Sequence, residues 1–270
     1  MHVYKHIDFC LLIPCYNNLK GLLVSLDSVE YSAGQYLIVV VDDGSSETLL
    51  AEKIKGSLNK GKPLVVLTND KNLGITASLN KGLTWINEYT DAEFIARLDC
   101  GDTCAADRFD KQVRFMRINP QIVLTGTWCL FENKETGESY SYKTPLKHKD
   151  IVREMHFRNV FIHPTVMFRN EMLKVAGYYP VQFDFAEDYA FFWTLINKGE
   201  TAIIDEFLVT TEISKTGLSY KNRGKQLVAR ARVTRVFGKS IVLEFAAYMR
   251  LLLLFILPKQ IILRLKKWRR

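Results

Sequence analysis

Glycine-rich phosphate loops are missing from the sequence: neither Gly-x-Gly-x-x-Gly nor Gly-x4-Gly-Lys-Ser/Thr occurs in the 270 residues. That removes the usual sequence support for a dinucleotide enzyme or a P-loop ATPase. Cysteine is sparse, at five residues, and Cys10, Cys15, Cys100, Cys104 and Cys129 form neither a dense disulfide framework nor paired Cys-x2-Cys zinc spacing. They read as thiols of a reducing compartment. Ser45 lacks a Gly-x-Ser-x-Gly setting, so hydrolase chemistry has no support. The most apolar stretch, residues 241–257, is broken by Glu244 and Arg250, closed by Pro258, and shorter than the roughly 20 residues of a comfortable span. The first residues show no basic, apolar and small-residue pattern of a secretory signal, so cytoplasmic exposure is expected.

A net positive charge is also missing from most of the chain. The formal net charge is +8, yet residues 221–270 carry 14 Lys/Arg against the single acid Glu244, leaving the first 220 residues at about −5. A body of that sign is a poor nucleic-acid module, so no nucleic-acid partner is expected. The basic tail points instead to an anionic lipid surface. Within it, Ile261, Leu265 and Trp268 fall together on a helical wheel among basic residues, as in a helix lying in the headgroup region.

What is present is a repeated alternation of apolar runs and helical patterns. Strands are predicted at 8–13, 36–41, 64–68 and 93–98, and helices at 19–30, 47–58, 75–88 and 106–118. The run YLIVVV at 36–41 is continuously apolar and rich in β-branched residues, as expected of a strand covered on both faces. Alternating order of this kind implies right-handed crossovers, an α/β fold and a mostly parallel central sheet. After an apolar run at 121–131 come polar turns through 133–149, a strand at 165–168, a helix at 187–197 and a strand at 202–204. Residues 1–220 read as one domain, with halves at about 1–120 and 121–220, followed by a helical C-terminal tail over 221–270.

Acidic and amide-rich loops follow the early strands, on the sheet edge where α/β proteins gather ligand groups. Asp42 and Asp43 sit after the second strand, where a carboxylate can accept a base N–H or a ribose hydroxyl while its neighbour braces the loop. Lys71, Asn72 and Gly74 offer charge, an amide and close backbone approach to a nucleotide. Asp99 and Asp102, in ARLDCGD, suit a hard cation, Mn²⁺ or Mg²⁺, bridging a diphosphate. Arg97 can brace one of these acids. Glu187 and Asp188 form a third pair, in which Asp188 is the candidate general base and Glu187 its neighbour on the acceptor. His163 suits either a phosphate or acceptor contact or a purely structural place. Each pair also has an ordinary reading as a turn or a helix cap.

Taken in order, LLIPCYNN at 11–18, VDDGS at 41–45, NLGITASLNKG at 72–82, ARLDCGD at 96–102, HPTVMFR at 163–169 and EDY at 187–189 resemble the family 2 glycosyltransferases of GT-A fold, over roughly residues 7–210. The likeness is strongest to bacterial enzymes of O-antigen or exopolysaccharide assembly. It implies a donor-binding N-terminal half and an acceptor-binding C-terminal half. It also implies inverting transfer of a hexose or N-acetylhexosamine from a UDP-linked sugar to a hydroxyl of a lipid-linked saccharide. By the same resemblance, Tyr16 and Asp43 match nucleobase and ribose contacts, with Pro14 in the same motif, Asp188 matches the general base, and Arg169 joins His163 as a possible acceptor or phosphate contact. The implied location is peripheral, on the cytoplasmic side of the inner membrane. The sequence departs from the family at Gly101, where the Asp-x-Asp motif carries its second carboxylate. Two other readings compete: a sugar-phosphate nucleotidyltransferase, which lacks its glycine-rich N-terminal loop here, and a non-catalytic membrane-associated scaffold.

Overall fold

The computed structural model describes residues 3–49, 51–58, 61–212 and 223–256. Its first half follows the alternation of the sequence. Strand β1 (Phe9–Cys15) is central, with α1 (Leu19–Asp27), β2 (Tyr36–Asp42), α2 (Ala51–Gly56), β3 (Leu64–Thr68), α3 (Ile75–Tyr89), β4 (Phe94–Arg97), a two-residue β5 (Thr103–Cys104) and α4 (Arg108–Ile118) after it. β1 pairs in parallel with β2 on one side and β4 on the other, and β3 extends β2, also in parallel. Side chains of β1 alternate between two apolar layers, as the pleat requires. Cys10 and Leu12 pack under α3 with Leu79, Leu83 and Ile86, while Phe9, Leu11 and Ile13 face Leu22 and Leu26 of α1 and Phe109 and Val113 of α4.

The second half corrects the expectation of a mostly parallel sheet. β6 (Ile122–Glu132), β7 (Ser139–Tyr142), β8 (Met167–Arg169) and β9 (Glu200–Glu212) complete a mixed sheet of order β3-β2-β1-β4-β8-β6-β9-β5, with β7 beside β6. β8 is antiparallel to β4 and to β6, whereas β6 and β9 run parallel with register shifts near Ile122, Thr127 and Trp128 that let the sheet curl. β8 enters from a short 3-10 turn at His163–Thr165, and β6 turns into β7 through a hairpin in which Asn133 N donates to the Glu138 carbonyl at 2.8 Å. β7 and the helices α5 (His148–Met155) and α6 (Met172–Ala176) are too short or too polar to announce themselves by periodicity. The strand expected at 202–204 is the middle of a strand of 13 residues.

Three helices close the second half. α7 (Glu187–Ile196) buries Phe191, Phe192 and Trp193 against the sheet. α8 (Arg223–Phe237) packs on α7: Val233 is fully buried, and Thr234 Oγ1 lies 3.4 Å from the Tyr189 hydroxyl and donates to the His156 carbonyl at 3.4 Å. The tail segment therefore begins with a helix built into the core. α9 (Ile241–Ile256) rests on α8 through buried Ala247 and leaves Ile241, Val242, Phe245, Met249, Leu252 and Leu253 exposed. Among the described residues, no helix is long and apolar enough to cross a membrane. The expected wheel of Ile261, Leu265 and Trp268 lies outside the described residues.

Candidate active site

The carboxyl ends of β1, β2, β3 and β4 bring the loops that follow them to one edge. Asn17, held at φ +49°, ties two of them together: its N–H donates to Ser45 Oγ at 2.9 Å and its Oδ1 accepts from Ser46 N at 2.9 Å. Tyr16, beside Pro14 and Cys15, is half exposed at this lip. Gly44 has φ +70°, and a Cβ there would sit 2.4 Å from the Lys71 carbonyl carbon, so only glycine lets the second and third loops meet. Lys71 and Asn72 are exposed beside it.

Both acids of the first pair are braced from within. Asp42 accepts from Ser45 N and Leu49 N, each at 3.0 Å, and closes its own loop. Asp43 accepts from Asn69 Nδ2 at 2.8 Å and from Leu73 N and Gly74 N, each at 2.9 Å. A carboxylate has about four acceptor positions, so Asp43 keeps one in hand. Its position at the start of α3 is fixed before any ligand arrives.

The Asp99–Asp102 loop hangs on α1 through a residue with no motif to mark it. Buried Ser25 donates from Oγ to the Asp99 carbonyl at 3.1 Å and accepts from Gly101 N at 2.9 Å. Gly101 has φ +103°, and a Cβ there would point toward Glu212 Oε2 at 3.9 Å. An aspartate at 101 would thus meet backbone strain, while the Glu212 oxygen it would approach is already paired with Lys134 at 2.9 Å.

Arg97 organises the floor. Fully buried, it donates from Nη2 to Asp99 Oδ1 at 2.6 Å, from Nη1 to the Leu12 and Leu98 carbonyls, and from Nε to His163 Nε2 at 3.3 Å. Because Arg97 stays charged, His163 Nε2 must be the unprotonated acceptor, and the Tyr179 hydroxyl 2.9 Å away donates to it as well. Burial, then the Arg97 charge, pushes the His163 pKa down to about 3, so the ring is neutral. His163 and Arg97 thus form a support beneath Asp99.

Glu187 and Asp188 open α7 and follow Phe185, a non-glycine residue at φ +67°. Asp188 accepts from Asn159 Nδ2 at 2.9 Å and from the Tyr189 N–H at 2.7 Å. Burial raises its pKa, and burial followed by the Asp188 charge raises that of Glu187 to about 7. Asp102 is also raised to about 7, by burial and then by Asp99, although Thr211 Oγ1 and Glu212 N each donate to it at 3.2 Å. The charge of Asp99 acts on Asp102, His163, Tyr179, Glu187 and Asp188 alike, which places both acidic clusters in one electrostatic neighbourhood.

Arg169 is not brought to this edge. It pairs with Phe94 at the opposite end of β4, and its guanidinium donates to the carbonyls of Ile122 at 3.0 Å and Met116 at 2.7 Å. Arg169, expected as an acceptor or phosphate contact, here ties β8 to the end of α4. Residues that sequence reasoning missed, Ser25, Asn69, Asn159 and Tyr179, are single polar side chains with no periodicity or spacing to distinguish them.

Among the described residues, no group of three or more His, Cys, Asp or Glu side chains could hold a metal ion. A Mg²⁺-like ion needs only one or two protein carboxylates when substrate phosphates and water complete its shell. Asp99 fits that mode: its side chain is 37% exposed, and one of its oxygens is pinned by Arg97. Asp102 is turned toward β9, behind it.

The sequence pattern of glycosyl transferase family 2 matches residues 10–176. The amylovoran biosynthesis glycosyltransferase AmsE of Erwinia amylovora is 32% identical over 196 residues, 71% of this chain and 70% of that protein. The O-antigen biosynthesis glycosyltransferase WbnJ of Escherichia coli is 24% identical over 181 residues, 66% and 68% of the two chains. Among solved structures, S. aureus TarS 1-349 in complex with UDP superposes with TM-score 0.65 at 18% identity, covering 88% of this chain and 68% of that one. The mannosyltransferase PcManGT from Pyrobaculum calidifontis, in complex with GDP-Man and Mn²⁺, gives 0.66 at 17% identity, covering 89% and 69%. The chain belongs to glycosyl transferase family 2, with a GT-A-like fold, and is a glycosyltransferase related to enzymes of bacterial surface-polysaccharide synthesis.

Proposed function

We propose that the chain transfers a hexose or N-acetylhexosamine, with inversion, from a UDP-linked sugar to a hydroxyl of a lipid-linked saccharide during bacterial surface-polysaccharide assembly. The observation that carries this reading is that the charge of Asp99, on its Arg97 support, reaches the Glu187–Asp188 pair at the start of α7. Asp99 suits a diphosphate with its counter-ion, the pair an acceptor hydroxyl.

In this scheme Pro14, Tyr16 and Asp43 hold the nucleoside, with Lys71 and Asn72 at its lip. Arg97 keeps Asp99 aimed at the diphosphate. Asp99 is the side chain that would hold Mn²⁺ or Mg²⁺, with Asp102 behind it occupied by Thr211 and Glu212, and the ion would supply charge neutralisation for the departing diphosphate. Asp188 takes the proton of the acceptor hydroxyl as that oxygen bonds to the anomeric carbon from the face opposite the leaving group. The bond from the anomeric carbon to the diphosphate breaks, and nucleoside diphosphate leaves. Glu187 hydrogen-bonds the acceptor beside Asp188, and His163, neutral on Arg97, lines the same floor.

Product analysis with a panel of UDP-sugars and membrane-extracted lipid acceptors tests this directly. Free UDP together with a lipid saccharide longer by one sugar is expected, abolished by EDTA and restored by Mn²⁺ or Mg²⁺. Release of pyrophosphate would instead establish nucleotidyl transfer, and no turnover with any donor would favour a scaffold.

The acceptor also argues for peripheral attachment at the cytoplasmic face of the inner membrane. The exposed apolar side chains of α9 and the basic residues around them suit an anionic lipid surface. Deleting residues 241–270 is expected to release the protein from phosphatidylglycerol vesicles in a sedimentation assay; unchanged pelleting would remove the tail as the anchor.

A further inference from the structure

We propose that Arg230, on the first helix of the basic C-terminal segment, is a positioning residue for Asp188, supplying the counter-charge that completes the candidate base. The proposal rests on the assignment of Asp188 as base given above. Arg230, Val233, Thr234 and Phe237 recur at helical spacing along one face of α8. On that face Val233 is fully buried, Phe237 packs against the same apolar cluster, and Thr234 lies 3.4 Å from the hydroxyl of Tyr189, the residue next to Asp188. Arg230 stands one turn before Thr234, half-buried, and its charge acts on both Asp188 and Tyr189.

The need for such a charge follows from what else faces Asp188. Glu187 is beside it, Asp184 acts on Glu187, and Asp99 reaches it from the loop after β4. Tyr179 is neutral, its pKa driven upward by burial, and Asn159 contributes an uncharged amide. Glu187 and Asp99 therefore crowd a buried carboxylate that must be ionised to accept a proton, with Asp184 beyond Glu187. The charge of Arg230 acts on Asp188 in the opposite sense. Docking of α8 thereby links the C-terminal segment to the chemistry of the domain.

The test compares the pH dependence of kcat/KM in the full chain with that of Arg230→Gln and Arg230→Lys. Loss of an opposing charge beside a buried carboxylate moves its proton affinity by about one pH unit or more. The acid limb of Arg230→Gln is therefore expected to move upward by about one unit, roughly a tenfold loss of kcat/KM below the limb, with UDP affinity by calorimetry unchanged. Arg230→Lys keeps the charge and is expected to restore most of the limb, which a merely structural role does not predict. An unmoved limb in a folded, UDP-binding Arg230→Gln enzyme, with Asp188→Asn inactive, overturns the role of Arg230 alone. If Arg230→Gln does not fold, Arg230→Met, which keeps an unbranched apolar stem without the charge, takes its place: a limb moved upward by about one unit upholds the charge role, and a wild-type limb overturns it. Transfer retained in Asp188→Asn overturns the base assignment, and this inference with it.

Discussion

Replacing Asp188 by asparagine is expected to lower kcat about 10²- to 10⁴-fold, the range that a positioned general base contributes, while leaving UDP binding intact. At 1.36 kcal/mol per decade this is about 3 to 5 kcal/mol of transition-state stabilisation. The substitution is close to isosteric. The two donors reach different oxygens, Asn159 Nδ2 the Oδ2 and the Tyr189 N–H the Oδ1, so an asparagine that keeps its oxygen on the Tyr189 N–H preserves the start of α7 and gives up the bond from Asn159 together with the proton acceptor. Burial raises the Asp188 pKa, so the sign of the wild-type pH dependence is fixed as well: activity falls as the pH drops through that raised value, because the protonated acid accepts no proton. A transfer assay paired with calorimetry measures both. Turnover within a factor of two of wild type would remove Asp188 as the base.

The largest stability effect is expected at Arg97. Its guanidinium serves the Leu12 and Leu98 carbonyls, Asp99 and His163 from a fully buried position. Arg97→Ala leaves those acceptors without their donor, removes a charge-assisted bond to Asp99 and opens a cavity beneath the donor loop. Losing one hydrogen bond to a charged group costs about 1.5–3 kcal/mol. Truncating a large buried side chain costs a few kcal/mol more, for a total of about 3 to 5 kcal/mol. Urea unfolding read by tryptophan fluorescence checks it, and a loss below 1 kcal/mol would contradict the supporting role. Arg97→Lys is expected to recover little of this, because a single ammonium does not reproduce the guanidinium fork.

How much could be read in advance differs between the two halves. β3 was predicted at its observed bounds and α3 to within one residue, because each apolar pattern is long and bounded by turn chemistry. β7 and α5 were missed because four residues of Ser-Tyr-Ser-Tyr and eight residues rich in charge carry little period. The direction of β8 was illegible for another reason. A three-residue strand has the same sequence whether it runs parallel or antiparallel, and only its partners β4 and β6 decide. At the candidate site, the acids announced themselves by lying after apolar strands. Their partners did not: Ser25 sits inside a helix and Asn159 in a loop, with nothing local to connect them to Asp99 and Asp188 some 74 and 29 residues away.

By itself, the sequence determined which residue types stand at the ends of the early strands, and through their order the family to which the chain belongs. Local propensity and apolar period are short-range properties, so they survive in a linear reading. Tertiary structure alone decided that the sheet is mixed, that Arg169 ties β8 to α4, and that Arg97, His163 and Tyr179 form one hydrogen-bonded support. It alone also decided that a helix from the basic tail lies against α7. Each of these depends on groups far apart in the chain meeting in a dry interior, where an unpaired charge or N–H is costly and the choice of partner is therefore forced.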